Sequence, residues 1–362
     1  MKTLLITKNI DNESVGGREL LSQSNQESLS KILLEKLEIC EISKIEQSNF
    51  KKLLNIPKGY IDGVSDLKIQ EILEFISERD IRRVFLDGSN FGSIAKAISE
   101  NFPELRIIIF FHNSEYRFFF GAFLSKPSFH SLGVVLANYV AEKFSVNFSD
   151  LRICLNKRDS EYLFKTYKKK ATHISSLTMK DNFKANLINK RFNFNSDNDK
   201  NFLLFVGGNF YANIDGIKWF LSNVASSLNI KIKVVGRGLE TLKSFENEEN
   251  IEIVGEVDDL SEWYMSCMCV IAPIFDGSGM KTKVAEALMY GRKVIGTQES
   301  FAGYENFQDE IGWICKSTND FIEAIHAAQE QIVDPYHENL RKIFIKEFSQ
   351  EAATFRIKKI LQ

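Results

Sequence analysis

The chain has 362 residues, 44% hydrophobic and 26% charged, and a formal net charge of −2. That length exceeds what one hydrophobic core usually serves, so about two domains are expected, and a composition without excess Pro, Gly or Ser excludes disorder. The near-zero charge gives no global field for nucleic acid, and nowhere do about 18 apolar residues run together to span a membrane.

Residues 1–8 read as a short first strand, because the apolar run stops at Lys8 and Asp11 before a secretory core can form. A helix is expected over 18–27, a strand at 84–87, a helix near 93–100 and a strand at 106–111. Strands alternating with amphipathic helices mean βαβ units and a mostly parallel sheet. Helical patterns then cover 131–144 and 157–168, and the polar, Asn-rich stretch 180–200 has the composition of a linker. The alternation then restarts. Strands are expected at 202–206, 230–235, 251–254, 270–273 and 293–296, with helices at 214–227, 260–265 and 281–290. A mostly polar stretch over 338–361, after Asp334-Pro335, reads as one terminal helix. The expected division is a first Rossmann-like domain over 1–182, a linker over 183–200, a second Rossmann-like domain over 201–337 and a terminal helix over 338–362.

The five cysteines, Cys40, Cys154, Cys267, Cys269 and Cys315, are scattered and form no CxxC pair for zinc or dithiol chemistry. A reducing compartment fits this usage, so the cytoplasm is expected, or the inner face of a membrane. Cys267 and Cys269 alternate as on one face of a strand and are read as core.

Ligands of parallel α/β sheets bind outside the carboxyl ends of the strands, so chemistry is sought in strand-to-helix loops. The sharpest is Asp276-Gly277-Ser278-Gly279-Met280-Lys281-Thr282-Lys283, between a strand ending at Pro273 and a helix bearing Glu286. A Gly-Ser-Gly loop opening a helix offers backbone N–H groups and a helix dipole to a phosphate. Lys281 and Lys283 add positive charge, and Glu286 shares a helix face with Thr282 and Lys283, where a carboxylate can accept from ribose hydroxyls. The competing reading is a tight turn with a surface Lys–Glu pair.

Two further loops repeat the strand-then-glycine pattern. Gly207-Gly208 permits close backbone approach, with Asn213 a candidate N-cap of the next helix, and Gly236-Arg237-Gly238 carries an arginine able to contact phosphate. In the first domain, Gly16-Gly17-Arg18 follows strand one, and the strand at 106–111 delivers His112 and Asn113 to its carboxyl end. His130, His173, His326 and His337 are read as structural. The basic and aromatic stretches 117–126 and 165–170 would suit an anionic membrane surface, against a reading as core aromatics and a solvated charge run.

Gly-Ser-Gly-Met-Lys281-x-Lys283-x-x-Glu286-Ala-Leu-x-x-Gly291, then Val-Ile-Gly-Thr297 and Gly303, together with Gly207-Gly208 and His112-Asn113-x-Glu115, resembles the GT-B glycosyltransferases of family 4, the "group 1" transferases. The resemblance is dense from about 202 to 304, patchier before that, and extends to the terminal helix. It implies two Rossmann-like domains facing across a cleft, with the last helix crossing back to the first domain. It further implies a nucleotide-diphosphate sugar, UDP-linked by common usage, in the second domain and a glycan or lipid-linked acceptor in the first. Retention of configuration and a bacterial polysaccharide pathway are also implied, with domain closure excluding water. No cofactor is implied beyond the nucleotide-sugar co-substrate, and no metal; the sequence shows no DxD-like pair on a strand-end loop to hold one.

Carried over residue by residue, Glu286 matches the second glutamate of the family's paired motif, on the donor ribose. The first glutamate, near the donor sugar, falls at Ser278, which is a departure; Asp276 or loop backbone groups are candidates to substitute. His112 would contact the donor sugar. The diphosphate cations would be Lys281 and Arg237, since the loop after Gly208 lacks an obvious arginine, and Gly16, Gly17, Gly207, Gly208, Gly277, Gly279, Met280 and Thr282 would approach the donor through backbone. Two alternatives stay open. A catalytically silent GT-B subunit that binds nucleotide or glycan is kept alive by Ser278, whereas a GT-B nucleotide-sugar epimerase is disfavoured by few histidines. An NAD-dependent dehydrogenase ranks last, because no Gly-x-Gly-x-x-Gly precedes an acidic residue about 20 positions on.

Overall fold

A computed structural model describes residues 1–9, 17–43, 53–184, 202–247 and 249–362. It divides into two compact units, Met1–Lys180 with Gln350–Gln362, and Asp181–Ser349. Gly16 and 185–200 of the expected linker lie outside the described residues.

In the first unit, β1 (Lys2–Lys8) leads to α1 (Gly17–Leu33), β2 (Leu37–Ile42), α2 (Asp66–Ser77), β3 (Ile81–Leu86) and α3 (Gly92–Asn101). Then follow β4 (Arg106–Phe111), α4 (Glu115–Ser125), α5 (Phe129–Asn147), β5 (Leu151–Cys154), α6 (Lys157–Tyr167) and β6 (His173–Ile174). The strands pair in parallel in the order β2-β1-β3-β4-β5-β6. Near-continuous apolar runs such as Ile107 to Phe111 are buried, as strands covered on both faces require. Helix starts are fixed locally: Ser128 and Ser131 form a capping box on α5, and Asn156 caps α6 by accepting from the Asp159 N–H at 2.8 Å. That box places the start of α5 at Phe129, two residues before the pattern suggests.

The second unit runs β7 (Phe202–Val206), α7 (Tyr211–Asn223), β8 (Lys231–Val235), β9 (Ile251–Gly255), α8 (Ser261–Ser266) and β10 (Cys269–Ala272). It continues through α9 (Thr282–Met289), β11 (Val294–Thr297), β12 (Gly312–Cys315), α10 (Thr318–Gln331) and α11 (Glu338–Ile343). Its sheet is also parallel, in the order β12-β11-β10-β7-β8-β9. Phe205, Phe220, Ile232, Ile271 and Phe321 lie at the centre of its core. Cys269 belongs to β10, but Cys267 precedes the strand and bonds through Sγ to the Tyr264 carbonyl oxygen at 3.3 Å, so the two cysteines do not share a strand face. Both are buried, and burial pushes their thiols up.

The terminal stretch is not one helix. After α11 comes a π turn, Phe344–Phe348, then extended Ser349 with ψ 163°, and only then α12 (Gln350–Leu361). The reason lies in burial: Leu340, Ile343, Phe344 and Phe348 are interior to the second unit, whereas Ala353, Ile357, Ile360 and Leu361 form a separate helical stripe in the first. α12 packs on α1, where Gln350 Nε2 donates to the Ser24 carbonyl and to Ser28 Oγ, each at 2.9 Å.

Each sheet has one place where strand order reverses, between β1 and β3 in the first unit and between β7 and β10 in the second. At such switch points the loops leave on opposite sides and open a crevice for ligand.

Candidate functional site

In the second unit, the loops after β7, β8, β10 and β11 interlock. Gly207 donates its N–H to the Val235 carbonyl at 3.1 Å, and Gly236, at φ 142°, packs so closely that an added Cβ would overlap the Gly207 carbonyl oxygen. That position therefore requires glycine twice over, for backbone conformation and for space. Tyr211 donates its hydroxyl to Asp276 Oδ2 at 2.9 Å, which joins the start of α7 to the loop after β10. Asn213 is not the N-cap of α7; Phe210 is, and Asn213 lies inside the first turn. Its amide donates to the Gly208 carbonyl at 3.1 Å while its Oδ1 accepts from Lys283 Nζ at 2.9 Å. The loop after β11 closes the set. Lys281 Nζ is 2.8 Å from Glu299 Oε1, Tyr304 donates to the Lys281 carbonyl at 2.8 Å, and Thr297 and Ser300 donate to the Ile274 and Ala272 carbonyls.

Lys283 is buried, with its ammonium 4.1 Å from the centre of the Phe205 ring. Burial, with a smaller push from Lys281 and an opposing pull from Glu286, brings its amine down to about 7. Glu286, one turn on, accepts from the buried Tyr264 hydroxyl at 2.6 Å through Oε2. Burial pushes its carboxyl up, against the Tyr264 hydrogen bond and the Lys283 charge. Tyr264 is itself fixed by stacking on Tyr290 at 5.2 Å, and Arg292 donates to its carbonyl at 2.7 Å. Glu286 is thus held rigidly, as a group that must meet a ligand in one geometry needs to be.

Gly277, Gly279, Met280 and Lys281 lie on the loop into α9 and Thr282 is that helix's first residue, with Gly207 and Gly208 across the switch point. Ser278 is on the same loop, its carbonyl 3.3 Å from Lys281 Nζ. Arg237 belongs to the cluster by its backbone, between Gly236 and Gly238, while its side chain is 65% exposed with Glu256 at 4.0 Å. The sequence reading missed Glu299, which neutralises Lys281, as well as Tyr264 and the Tyr211–Asp276 bond; all three come from positions distant in sequence and carry no motif.

In the first unit, the loops after β1, β3 and β4 gather a different set. His112 directly follows β4, and its Nε2 lies 2.8 Å from Asp87 Oδ1, just after β3. Asp87 also accepts from Asn25 at 2.8 Å and Thr7 at 3.0 Å. Burial would raise its carboxyl, but the His112 charge and the hydrogen bonds from His112, Ser22 and Asn25 outweigh it and hold it at about 2. An ionised Asp87 directs the Nε2 proton to itself, and His112 Nδ1 is buried without a hydrogen-bond partner. Gly17 opens α1, and the adjacent Arg18 bonds Asp62 through Nη1 at 3.2 Å, with Nη2 buried and unpartnered. Glu115 is buried and raised by that burial, against the pull of Arg18. Behind it, Glu142 accepts from Ser114 Oγ at 3.1 Å and the Tyr116 N–H at 2.8 Å, yet burial pushes its carboxyl up to about 8. The sequence signal for Asp87 was present: it is the carboxylate that ends the apolar run 84–86. Among the described residues, no three His, Cys, Asp or Glu side chains gather in a way that could hold a metal ion.

Two parallel six-stranded sheets, each flanked by helices and ending in these loops, are the GT-B glycosyltransferase architecture. Sucrose-phosphate synthase from Thermosynechococcus elongatus is similar with a TM-score of 0.74 at 14% identity, covering 99% of this chain and 98% of that one. Anabaena HepE in complex with UDP is similar with a TM-score of 0.68 at 13% identity, over 100% and 99%. The lipopolysaccharide outer core galactosyltransferase WaaB follows with a TM-score of 0.65 at 11% identity, over 100% and 99%. Residues 200–331 match the family model described as "Glycosyl transferases group 1", so the second unit carries a domain of that family. No curated protein matches the chain in sequence.

Proposed function

We propose that the protein is a glycosyltransferase that moves a hexose from a UDP-sugar to a glycan or lipid-linked acceptor with retention of configuration. The observation that carries this reading is the interlocking of four strand-end loops around the switch point of the second unit, with a Gly-Ser-Gly turn opening α9. The first N–H groups of a helix have no intrahelical partner. A diphosphate seated there meets those groups and the charges of Lys281 and Lys283, which stabilise the leaving nucleotide as the glycosidic C–O bond breaks. In this reading protein groups alone neutralise that charge, without a metal. Glu286, fixed by Tyr264, presents its other oxygen to the ribose hydroxyls.

The first unit holds the acceptor in this proposal, and His112, oriented by Asp87, offers Nδ1 to the donor sugar. Solved structures of Anabaena HepE with UDP and with UDP-glucose support the choice of base. The lipopolysaccharide galactosyltransferase among the fold neighbours supports a place in bacterial polysaccharide assembly. No helix among the described residues is long and apolar enough to cross a membrane.

A second reading, a catalytically silent subunit that binds nucleotide, is favoured by Ser278 at the position of the first motif glutamate and by the pairing of Lys281 with Glu299. Thermal shift and nucleotide release across UDP-, GDP- and ADP-sugars separate the two. Transferase function is expected to give stabilisation by one base and slow donor hydrolysis, both lost in Glu286→Ala. Stabilisation without any release would leave the silent subunit, and no response to any nucleotide would sink both.

A further inference from the structure

The hairpin formed by α4 and α5 presents large apolar side chains to solvent. Phe129 is 98% exposed, Leu124 62%, Leu136 46%, and Phe120 and Leu132 40% each. Single exposed apolar residues are ordinary on a soluble surface, but five on two packed helices make a patch that calls for a partner. Their spacing is orderly. Phe120 and Leu124 share a helix face with Arg117, and Phe129, Leu132 and Leu136 share one with Lys143.

Charge decides the nature of that partner. No Asp or Glu occurs from Tyr116 to Ala141, a stretch that carries Arg117, Lys126 and His130. The flanking acids, Glu115 and Glu142, are buried in the polar cluster behind the hairpin, whereas Lys126 and Lys143 are exposed. Arg117 adds to a cationic group around Tyr162, its guanidinium 3.9 Å from the ring centre with Lys165 at 5.9 Å. A second copy docking hairpin to hairpin by two-fold symmetry would bring cations against cations, since no carboxylate lies between Tyr116 and Ala141 to oppose them. An anionic lipid surface satisfies both components: phosphate headgroups meet the cations while Phe and Leu enter the acyl boundary.

We propose that the α4–α5 hairpin docks the protein on an anionic membrane surface, with Leu124 and Phe129 as the inserting side chains. This inference does not depend on the donor site, although it fits an acceptor carried on lipid.

The test uses the full chain and sedimentation with phosphatidylglycerol vesicles and, separately, phosphatidylcholine vesicles, at low and high salt. Binding is expected to favour phosphatidylglycerol, to fall with salt, and to weaken about tenfold in the double variant Leu124→Ser, Phe129→Ser and several-fold in Lys126→Glu. Because these side chains are exposed, the melting temperature and the UDP-induced shift should match the wild type, so a failed donor site and a failed membrane site give distinguishable results. Absence of binding to phosphatidylglycerol, or equal binding by the double variant, overturns the proposal. So does a solution dimer that the double variant dissolves without any vesicle binding, which would assign the face to a second copy.

Discussion

The two sheets are both parallel and six-stranded, with different strand orders, and they end in opposite chemistry. After β7, β8, β10 and β11 the second unit offers glycines, helix N–H groups and two lysines, with Lys281 balanced by Glu299 and Lys283 by an amide. After β1, β3 and β4, and in the segment that follows β2, the first unit offers Asp62, Asp87 and Glu115 around Arg18 and His112, with buried polar atoms on Arg18, His112 and Asn113 lacking partners. A net charge of −2 conceals this segregation. One end suits an anion and the other suits hydroxyl groups, which accept and donate in turn, since carboxylates crowded around one guanidinium repel a phosphate.

His112 is where the two ends should differ most in their response to mutation. Under the proposed function, His112→Ala should lower donor turnover by about 10²-fold or more while the UDP dissociation constant stays within about twofold, because the residue belongs to the first unit alone. Calorimetric titration with UDP beside a nucleotide-release assay checks this, and a parallel loss of UDP affinity would contradict the division of labour. Lys283→Met tests the other end. It should weaken UDP binding about tenfold at pH 6 through the lost charge and the loosened Asn213–Gly208 loop. The wild-type affinity should also decline as pH rises through about 7, where the amine deprotonates, while the variant stays flat. A wild-type affinity independent of pH between 6 and 9 would remove Lys283 from the diphosphate's surroundings.

The fold was legible because its signals are local. Apolar runs such as Ile107 to Phe111 and Phe202 to Val206 declare buried strands, and the strand-to-helix order fixes a parallel sheet with its ligand end. The Gly-Ser-Gly loop and Glu286 were readable for the same reason, since phosphate cradles depend on contiguous backbone. What escaped notice depends on tertiary contact. Glu299 meets Lys281 from 18 residues away, and Tyr264 meets Glu286 from 22. The break at Ser349 was missed because a mostly polar, continuously helical pattern does not reveal that its two apolar stripes serve different cores. Glu142 lies in a helix whose outward face is apolar, so periodicity alone cannot mark it as the buried side.

That carboxyl supplies the smallest expected effect and the cleanest sign. The folded chain holds the Glu142 proton up to about 8, while the unfolded chain releases its own near the ordinary 4.5. Between those values the folded state binds more protons, so Glu142 erodes stability progressively as pH rises through that window and costs most above it. Lys283 has the opposite slope: its amine is lowered from 10.5 to about 7, so its cost is full below 7 and fades as pH climbs toward 10.5. Glu142→Gln retains an oxygen that can accept from the Tyr116 N–H and removes the charge. It should therefore match the wild type near pH 4.5 and gain about 2–4 °C in melting temperature at pH 8, the shift that about 1 kcal/mol produces in a domain of this size. Melting curves across that range decide the matter: a gain that is absent at pH 8, or equally large at pH 4.5, would mean that the carboxylate ionises without cost, and the first unit's polar cluster would then be far wetter than its burial implies.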